Sequence, residues 1–384
     1  MADNGMDRRR FLDFCARAGA LAVVPGIAGG RMIDALGAAT RTVGSVSSYP
    51  AKYWESLDGG TVRCKLCPRA CETKLGARGT CGVRENSGGK LVSKVYGRPA
   101  MVRDDAIEKA PLFHYLPATR TLSLGTAGCN LDCGYCQNWE FARALPEDTD
   151  NKNLPPDSLV SQVKQAGGKS ILFTYSEGVV SIEYLLETAR LAKQAGLHTL
   201  LKTAGYVCPE PLADILAAVD AINIDLKAYS HEVYRTMTTA ELDPVLDTIK
   251  AAAASNVWLE IANLVVPGYN DNDAMVRRMA EWIIANCGAN TPLHMSRFFP
   301  QYRFRHIEPT PKDTLLRLRK VAYNAGMKYV YLGNMGGDPA ESTYCPKCWM
   351  KVIERVGYRV SNKGLDLNTS TCVKCGYKIP GIWV

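Results

Sequence analysis

Thr121-Leu122-Ser123-Leu124-Gly125-Thr126-Ala127-Gly128-Cys129-Asn130-Leu131-Asp132-Cys133-Gly134-Tyr135-Cys136 is the stretch on which the reading of this chain turns. A short apolar run of strand type leads directly into a loop carrying three cysteines in C-x3-C-x2-C spacing. Three thiolates can hold three irons of a 4Fe-4S cubane, which normally takes four cysteines. The missing fourth leaves one iron open to a small molecule. A zinc loop would need a fourth Cys or His nearby, and a ferredoxin run is more tightly spaced and brings its own fourth cysteine.

Outward from this loop, short apolar runs alternate with helix-length periodic segments, the sign of βα units and a parallel sheet. The pattern predicts strands at Thr121–Gly125, Ile171–Tyr175, Thr199–Lys202, Ala221–Asp225, Trp258–Val265, Leu293–Phe298 and Tyr329–Gly333. Helices are predicted at Ile182–Ala195, Pro211–Ala218, Val245–Ser255, Ala274–Asn286 and Thr314–Ala325. Such a series suits an α/β fold with a TIM-like barrel, complete or partial, whose chemistry sits on loops at the C-terminal ends of the strands. Tyr175-Ser176-Glu177-Gly178, Lys202-Thr203-Ala204-Gly205, Asp225-Leu226-Lys227 and His294-Met295-Ser296-Arg297 fall at those ends. Asp225 and Lys202 end neighbouring strands and are expected to pair.

The chain has 14 cysteines, and most are clustered. Cys345-x2-Cys348 and Cys372-x2-Cys375 form two knuckles of a zinc-ribbon-like tail, with rubredoxin-type iron as the alternative. Cys64, Cys67, Cys71 and Cys81 offer four more thiolates, for zinc or an auxiliary 4Fe-4S cluster. Pro68 and Gly79 resemble knuckle turns, which favours zinc. Cys15, Cys208 and Cys287 stand alone and read as ordinary buried thiols. Spacings this short gather thiolates on a metal, whereas disulfide frameworks belong mainly to small secreted domains.

Charged residues are 22% of the chain and hydrophobic ones 47%, so a sizeable core is expected. The net charge of +8 includes the N-terminal arginines, and no basic run interleaved with aromatics points to nucleic acid. The expected division is a signal and linker over 1–45, a Cys-rich metal-binding region over 46–117, the barrel over 118–337 and the ribbon over 338–384.

The cysteine loop, Tyr135 included, resembles the signature of the radical S-adenosylmethionine superfamily. The strand-end motifs are similar to those of activating enzymes of glycyl-radical systems. With the Cys-rich start and the terminal Ile379-Pro380-Gly381-Ile382-Trp383, nearly the whole chain after residue 50 resembles the radical enzyme of the AmmeMemoRadiSam system. The resemblance implies a 4Fe-4S cluster on Cys129, Cys133 and Cys136 with S-adenosylmethionine at its open iron. It implies Glu177 at the cofactor's amino group, Lys227 at its carboxylate as a point charge, and His294 and Arg297 near its ribose and the substrate. Relatives commonly have Asn where Ala204 stands, so no role is borrowed for that side chain. Glu108 and His114 also match the family and carry no assigned chemistry. The implied activity is reductive cleavage of S-adenosylmethionine to a 5′-deoxyadenosyl radical that abstracts hydrogen from a partner protein or a small molecule. A low-potential electron donor is implied with it. The rival reading is a non-catalytic iron-sulfur or zinc module for electron transfer or metal binding.

Arg8-Arg9-Arg10-Phe11-Leu12 and the Ala/Gly/Val-rich stretch after it read as a twin-arginine export signal, the cytoplasm being the alternative location. Arg17 and Pro25 make that stretch a poor stable membrane span. Fractionation of the wild type and an Arg8→Lys/Arg9→Lys form should move the protein from an extracytoplasmic to a cytoplasmic fraction. A cytoplasmic location for both would show that the motif is not used.

Overall fold

The computed structural model describes residues 41–384; the twin-arginine motif and Cys15 lie outside the described residues. At its centre is an 8-stranded sheet in which spatial order follows chain order. The strands are β1 (Pro99–Ala106), β2 (Arg120–Thr126), β3 (Ser170–Phe173), β4 (His198–Thr203), β5 (Ala221–Asp225), β6 (Trp258–Val265), β7 (Leu293–Arg297) and β8 (Val330–Gly333). β2 to β8 are mutually parallel, and β1 pairs antiparallel with β2. The sheet order ends at β1 and β8, so the barrel is partial.

Helices cross between the strands: α1 (Pro156–Gln165), α2 (Ile182–Ala195), α3 (Pro209–Ala218), α4 (His231–Thr238), α5 (Asp243–Ala253), α6 (Asp273–Cys287) and α7 (Lys312–Asn324). Each presents an apolar face to the sheet, as Ile182, Leu185, Ala189 and Ala192 of α2 do. That spacing is what a helix covering a parallel sheet requires. All seven predicted strands and all five predicted helices are present, with ends shifted by a few residues. β3 stops at Phe173 because Tyr175 takes a left-handed backbone, φ 67°, and turns the chain out of the ladder. β1, α1 and α4 were not anticipated. β1 is a half-exposed edge strand rich in charge, Arg103-Asp104-Asp105, with no apolar alternation to betray it.

The segment from Ile107 to Thr119, between β1 and β2, closes the floor of the barrel. Ile107, Leu112, Phe113 and His114 are buried there. Glu260 of β6, fully buried, fixes this floor: its carboxylate accepts from the amides of Phe113 (3.0 Å) and His114 (2.8 Å), from Trp258 Nε1 (3.0 Å) and from His294 Nε2 (2.5 Å). Four donors on one carboxylate are what a buried charge needs.

The C-terminal segment docks onto the same floor. Its sheet runs Thr343–Tyr344, Lys351–Val356 and Arg359–Asn362. The buried Arg355 donates to Phe113 O at 2.7 Å and stacks over the Phe113 ring at 4.1 Å. The tail is joined to the floor segment through Ile382 N to His114 O, 2.8 Å, and Leu116 N to Ile382 O, 2.6 Å. Phe113, Tyr329 and Tyr331 of the barrel share one core with Cys345, Val352, Cys372 and Trp383 of the tail.

His114 carries part of this junction. Its Nδ1 lies 2.6 Å from Pro380 O, which can only accept, so Nδ1 holds the proton and Nε2 accepts from Tyr331 Oη at 2.5 Å. Burial pushes the imidazole down to about 4. The folded value lies below the unfolded one, so the stabilisation is complete above about pH 6.5 and is lost as pH falls toward 4. The full loss is about 3 kcal/mol. Urea unfolding at a series of pH values should show proton uptake on unfolding in that window, reduced by about one proton in His114→Gln.

Candidate active site

At the C-terminal ends of the parallel strands the barrel opens into a cavity of about 460 Å³, in the range of small-molecule sites. Every element at the rim contributes to its wall: Cys129, Cys133, Tyr135 and Cys136 after β2, Tyr175 to Glu177 after β3, Lys202 and Thr203 of β4, Asp225 and Lys227 at β5, and Ser296 of β7.

The cysteine loop is held from several sides. Asp132 N donates to Thr238 O (3.0 Å) and Gly134 N to Met237 O (2.9 Å), both at the end of α4. Gly134 O accepts from the amides of Arg303 (2.9 Å) and Phe304 (3.1 Å). Arg143 and Arg303 both pair with Asp132, and Leu131 N donates to Cys129 Sγ at 3.4 Å. Two glycines are dictated by close approach. A Cβ on Gly134 would stand 2.3 Å from the Phe304 ring, and one on Gly128, whose φ is +86°, would meet Val83 and the Cys81 carbonyl at 2.4 and 2.5 Å. Burial pushes the Cys129 thiol well above its usual range and Cys133 up to about 11. Such sulfurs ionise when a metal replaces the proton.

Opposite the loop, Asp225 accepts from Lys202 Nζ at 2.7 Å and from Lys227 Nζ at 2.6 Å. Burial alone would raise its carboxyl, but the two ammonium charges, Lys202 first, outweigh it and hold it at about 2. Lys202 also donates to Asn223 Oδ1 at 2.8 Å. Two cations on one carboxylate leave this wall with a surplus positive charge. Lys227 lies 5.9 Å from the Tyr135 ring centre, and the buried Tyr135 hydroxyl has no partner. Three sulfurs, an unpaired buried donor and a cationic wall suit an anionic cluster that carries a ligand with its own carboxylate.

Two expectations, those for His294 and Arg297, need correction. The Glu177 carboxylate is buried and turned into the strand ends, accepting from Thr203 Oγ1 (2.6 Å), Ala204 N (2.8 Å) and Val179 N (3.1 Å). It ties β3 to β4 with three of its roughly four acceptor positions, and the residue also lines the cavity. His294 is spent on Glu260 below the cavity, and Arg297 turns outward to donate to Thr310 O at 2.7 Å; neither lines the cavity. Strand alternation explains both: Ser296, one residue from Arg297, takes the inward position at rim height, and His294 faces inward one layer deeper.

Sequence reasoning missed Asn223 and Asn130. Asn223 sits two residues before Asp225, on the same strand face, and that period was legible. Asn130 lies inside the cysteine loop, where its amide donates to Tyr206 O at 2.7 Å.

The C-terminal cysteines form a separate centre. Sγ separations are 3.5 Å for Cys345 and Cys375 and 3.6 Å for Cys348 and Cys372, and all four sulfurs lie within 4.8 Å of one another. A tetrahedral four-thiolate ion needs about 3.8 Å between sulfurs, from a metal–sulfur bond of about 2.3 Å. Cys64, Cys67, Cys71 and Cys81 line one cavity near the N-terminus. Cys208 and Cys287 are only half-buried, not the buried thiols expected.

The family described as the Radical SAM superfamily matches residues 123–283, from β2 into α6. Uncharacterized protein MJ0808 of Methanocaldococcus jannaschii is 39% identical over 329 residues, covering 86% of this chain and 98% of that one. Pyruvate formate-lyase 1-activating enzyme of Escherichia coli is 24% identical over 223 residues, 53% of this chain and 89% of that one. Among solved structures, a domain of the pyruvate-formate lyase-activating enzyme from Bacteroides vulgatus matches 44% of this chain and all of that chain, with 17% identity and a TM-score of 0.38.

The charge balance at β5 can be tested on the protein alone. Asp225→Asn leaves two half-buried ammonium groups without their carboxylate and should lower the unfolding free energy by about 1–3 kcal/mol. Adding Lys202→Met should restore part of that loss in a denaturant titration. Equal stability of Asp225→Asn and wild type would show that the lysines find other partners.

Proposed function

The chain belongs to the radical SAM superfamily and is a radical SAM enzyme, and we propose that Cys129, Cys133 and Cys136 hold its 4Fe-4S cluster with S-adenosylmethionine beside it. The observation that carries this reading is the meeting of those three sulfurs, Tyr135 and the Asp225–lysine group around one cavity. When bound, cluster and cofactor supply one-electron cleavage of the sulfonium and a 5′-deoxyadenosyl radical for hydrogen abstraction. The chain's own residues bind and orient. Lys227, anchored by Asp225, offers the cofactor carboxylate a fixed cation, and Lys202 with Asn223 keeps Asp225 in place. Glu177 holds the turn after β3 against β4, and it and Ser176 form the cavity wall at which the cofactor's amino group would sit. The Gly134–Phe304 contact and the α4 end fix the loop and seal its outer side from water.

The substrate proposed is a partner protein or a small molecule reached through the mouth of the same cavity, with an electron donor of low potential. Activation of a protein partner is supported by the relatives' names, which describe activating enzymes of pyruvate formate-lyase and of 4-hydroxyphenylacetate decarboxylase. Zinc is proposed for the C-terminal cysteines, as a structural ion closing the tail against the barrel floor.

Anaerobic protein given S-adenosylmethionine and a strong reductant should form 5′-deoxyadenosine, and Cys136→Ala should fall to background. Turnover that persists in Cys136→Ala would overturn the cluster assignment.

A further inference from the structure

The four N-terminal cysteines differ from the C-terminal four in one physical respect. The C-terminal sulfurs already stand at single-ion spacing, whereas among the described residues no other three side-chain ligands gather within 4.8 Å. Cys64, Cys67, Cys71 and Cys81 instead surround a cavity, together with Leu66, Arg84 and Asn130. A tetrahedral ion sits about 2.3 Å from each sulfur, closer than a water-sized sphere can come, so four cysteines closed on one zinc leave no such space. A cubane binds each sulfur through a different iron and holds its ligands further apart. The three sulfurs of the loop after β2 are likewise not gathered at single-ion spacing.

The surroundings suit an anionic cluster. Thr80 N donates to Cys71 Sγ at 3.4 Å, and Thr80 Oγ1 lies 3.4 Å from the same sulfur. Arg84 is fully buried, donates to Glu183 Oε1 at 2.9 Å and to Lys52 O, and has an Nε with no partner. This cavity also touches the loop after β2. Asn130, bonded directly to Cys129, lines it. Arg69 Nε donates to Asn130 O at 2.5 Å, and the Cys81 carbonyl packs against Gly128. The cavity reaches the surface at Thr80, which is exposed.

We propose that Cys64, Cys67, Cys71 and Cys81 bind a second 4Fe-4S cluster, in place of the zinc favoured by the sequence, and that Asn130 joins it to the cluster at Cys129. The site stands on its own geometry; its role as an electron relay rests on the radical SAM reading above. In that role a low-potential one-electron donor protein is oxidised at the Cys71 side, and the second cluster passes the same electron to the first. No bond forms or breaks, and no proton moves.

Iron and zinc content and EPR of anaerobically reconstituted protein test this. The wild type should hold about eight irons and one zinc. The Cys129→Ala/Cys133→Ala/Cys136→Ala form should keep about four irons, with an EPR signal indifferent to S-adenosylmethionine. Cys71→Ala should keep the other four, whose signal does respond. Retained zinc and a single cooperative unfolding transition verify that each variant is folded. A folded triple variant with two zincs and no iron would overturn the proposal and leave the function untouched. Failure of the wild type to cleave S-adenosylmethionine while the triple variant keeps its irons would instead remove the radical reading and spare this site. With both clusters reduced, the wild-type EPR signals should broaden each other, and Cys71→Ala should abolish the broadening. Two magnetically isolated signals would overturn the relay.

Discussion

Glu260 is the interaction on which the rest of this molecule depends. A carboxylate with no solvent contact must find its donors within the protein, and this one recruits them from three directions: the floor segment at Phe113 and His114, its own strand at Trp258, and β7 at His294. That requirement closes the barrel at the end away from the chemistry. Because the closing segment also carries the contacts to Arg355, Pro380 and Ile382, the C-terminal metal segment is fixed to the same point. The barrel can then stay open as a sheet, ending at β1 and β8, without losing its floor.

Above that floor the electrostatics are arranged in layers. Glu177, buried, and Asp225, half-buried, are both carboxylates at the rim, yet they do different things. Glu177 is satisfied by a hydroxyl and two amides and knits adjacent strand ends. Asp225 is satisfied by two ammonium groups, which leaves the wall cationic. Cysteines that ionise on binding a metal are favoured by such a wall, since negative charge in a cavity is tolerated beside positive charge or metal.

The cysteines divide by geometry in a way their spacing could not express. Both four-cysteine sets have the residue content of a zinc site, and both lie on short turns. The C-terminal set closes on a single point. The N-terminal set encloses a space and shares Asn130 with the loop at Cys129. The closeness of the two cysteine groups is thus a property of chain crossing, set where the segment after strand Val62–Cys64 reaches the loop after β2 through Arg69 Nε to Asn130 O at 2.5 Å and the β4–α3 loop through Cys208 N to Leu66 O at 3.0 Å.

The sequence by itself determined the parallel strands, their order along the chain and the loop that bears Cys129, Cys133 and Cys136. Apolar runs and helical periods are local properties, and strands whose both faces are covered must be apolar throughout. It also determined that Lys202 and Asp225 would meet, because neighbouring parallel strands end side by side, whereas the second pairing of Asp225, with Lys227, came from the tertiary structure. Only the tertiary structure decided which strand-end residues face the cavity. Glu177 turned to Thr203 and Ala204, His294 to Glu260 and Arg297 to Thr310, since a buried polar group takes the nearest partner the fold supplies, and those partners lie far away in sequence or on another strand. The edge strand β1, half-exposed and charged, likewise had no periodicity to announce it; its place comes from pairing with β2.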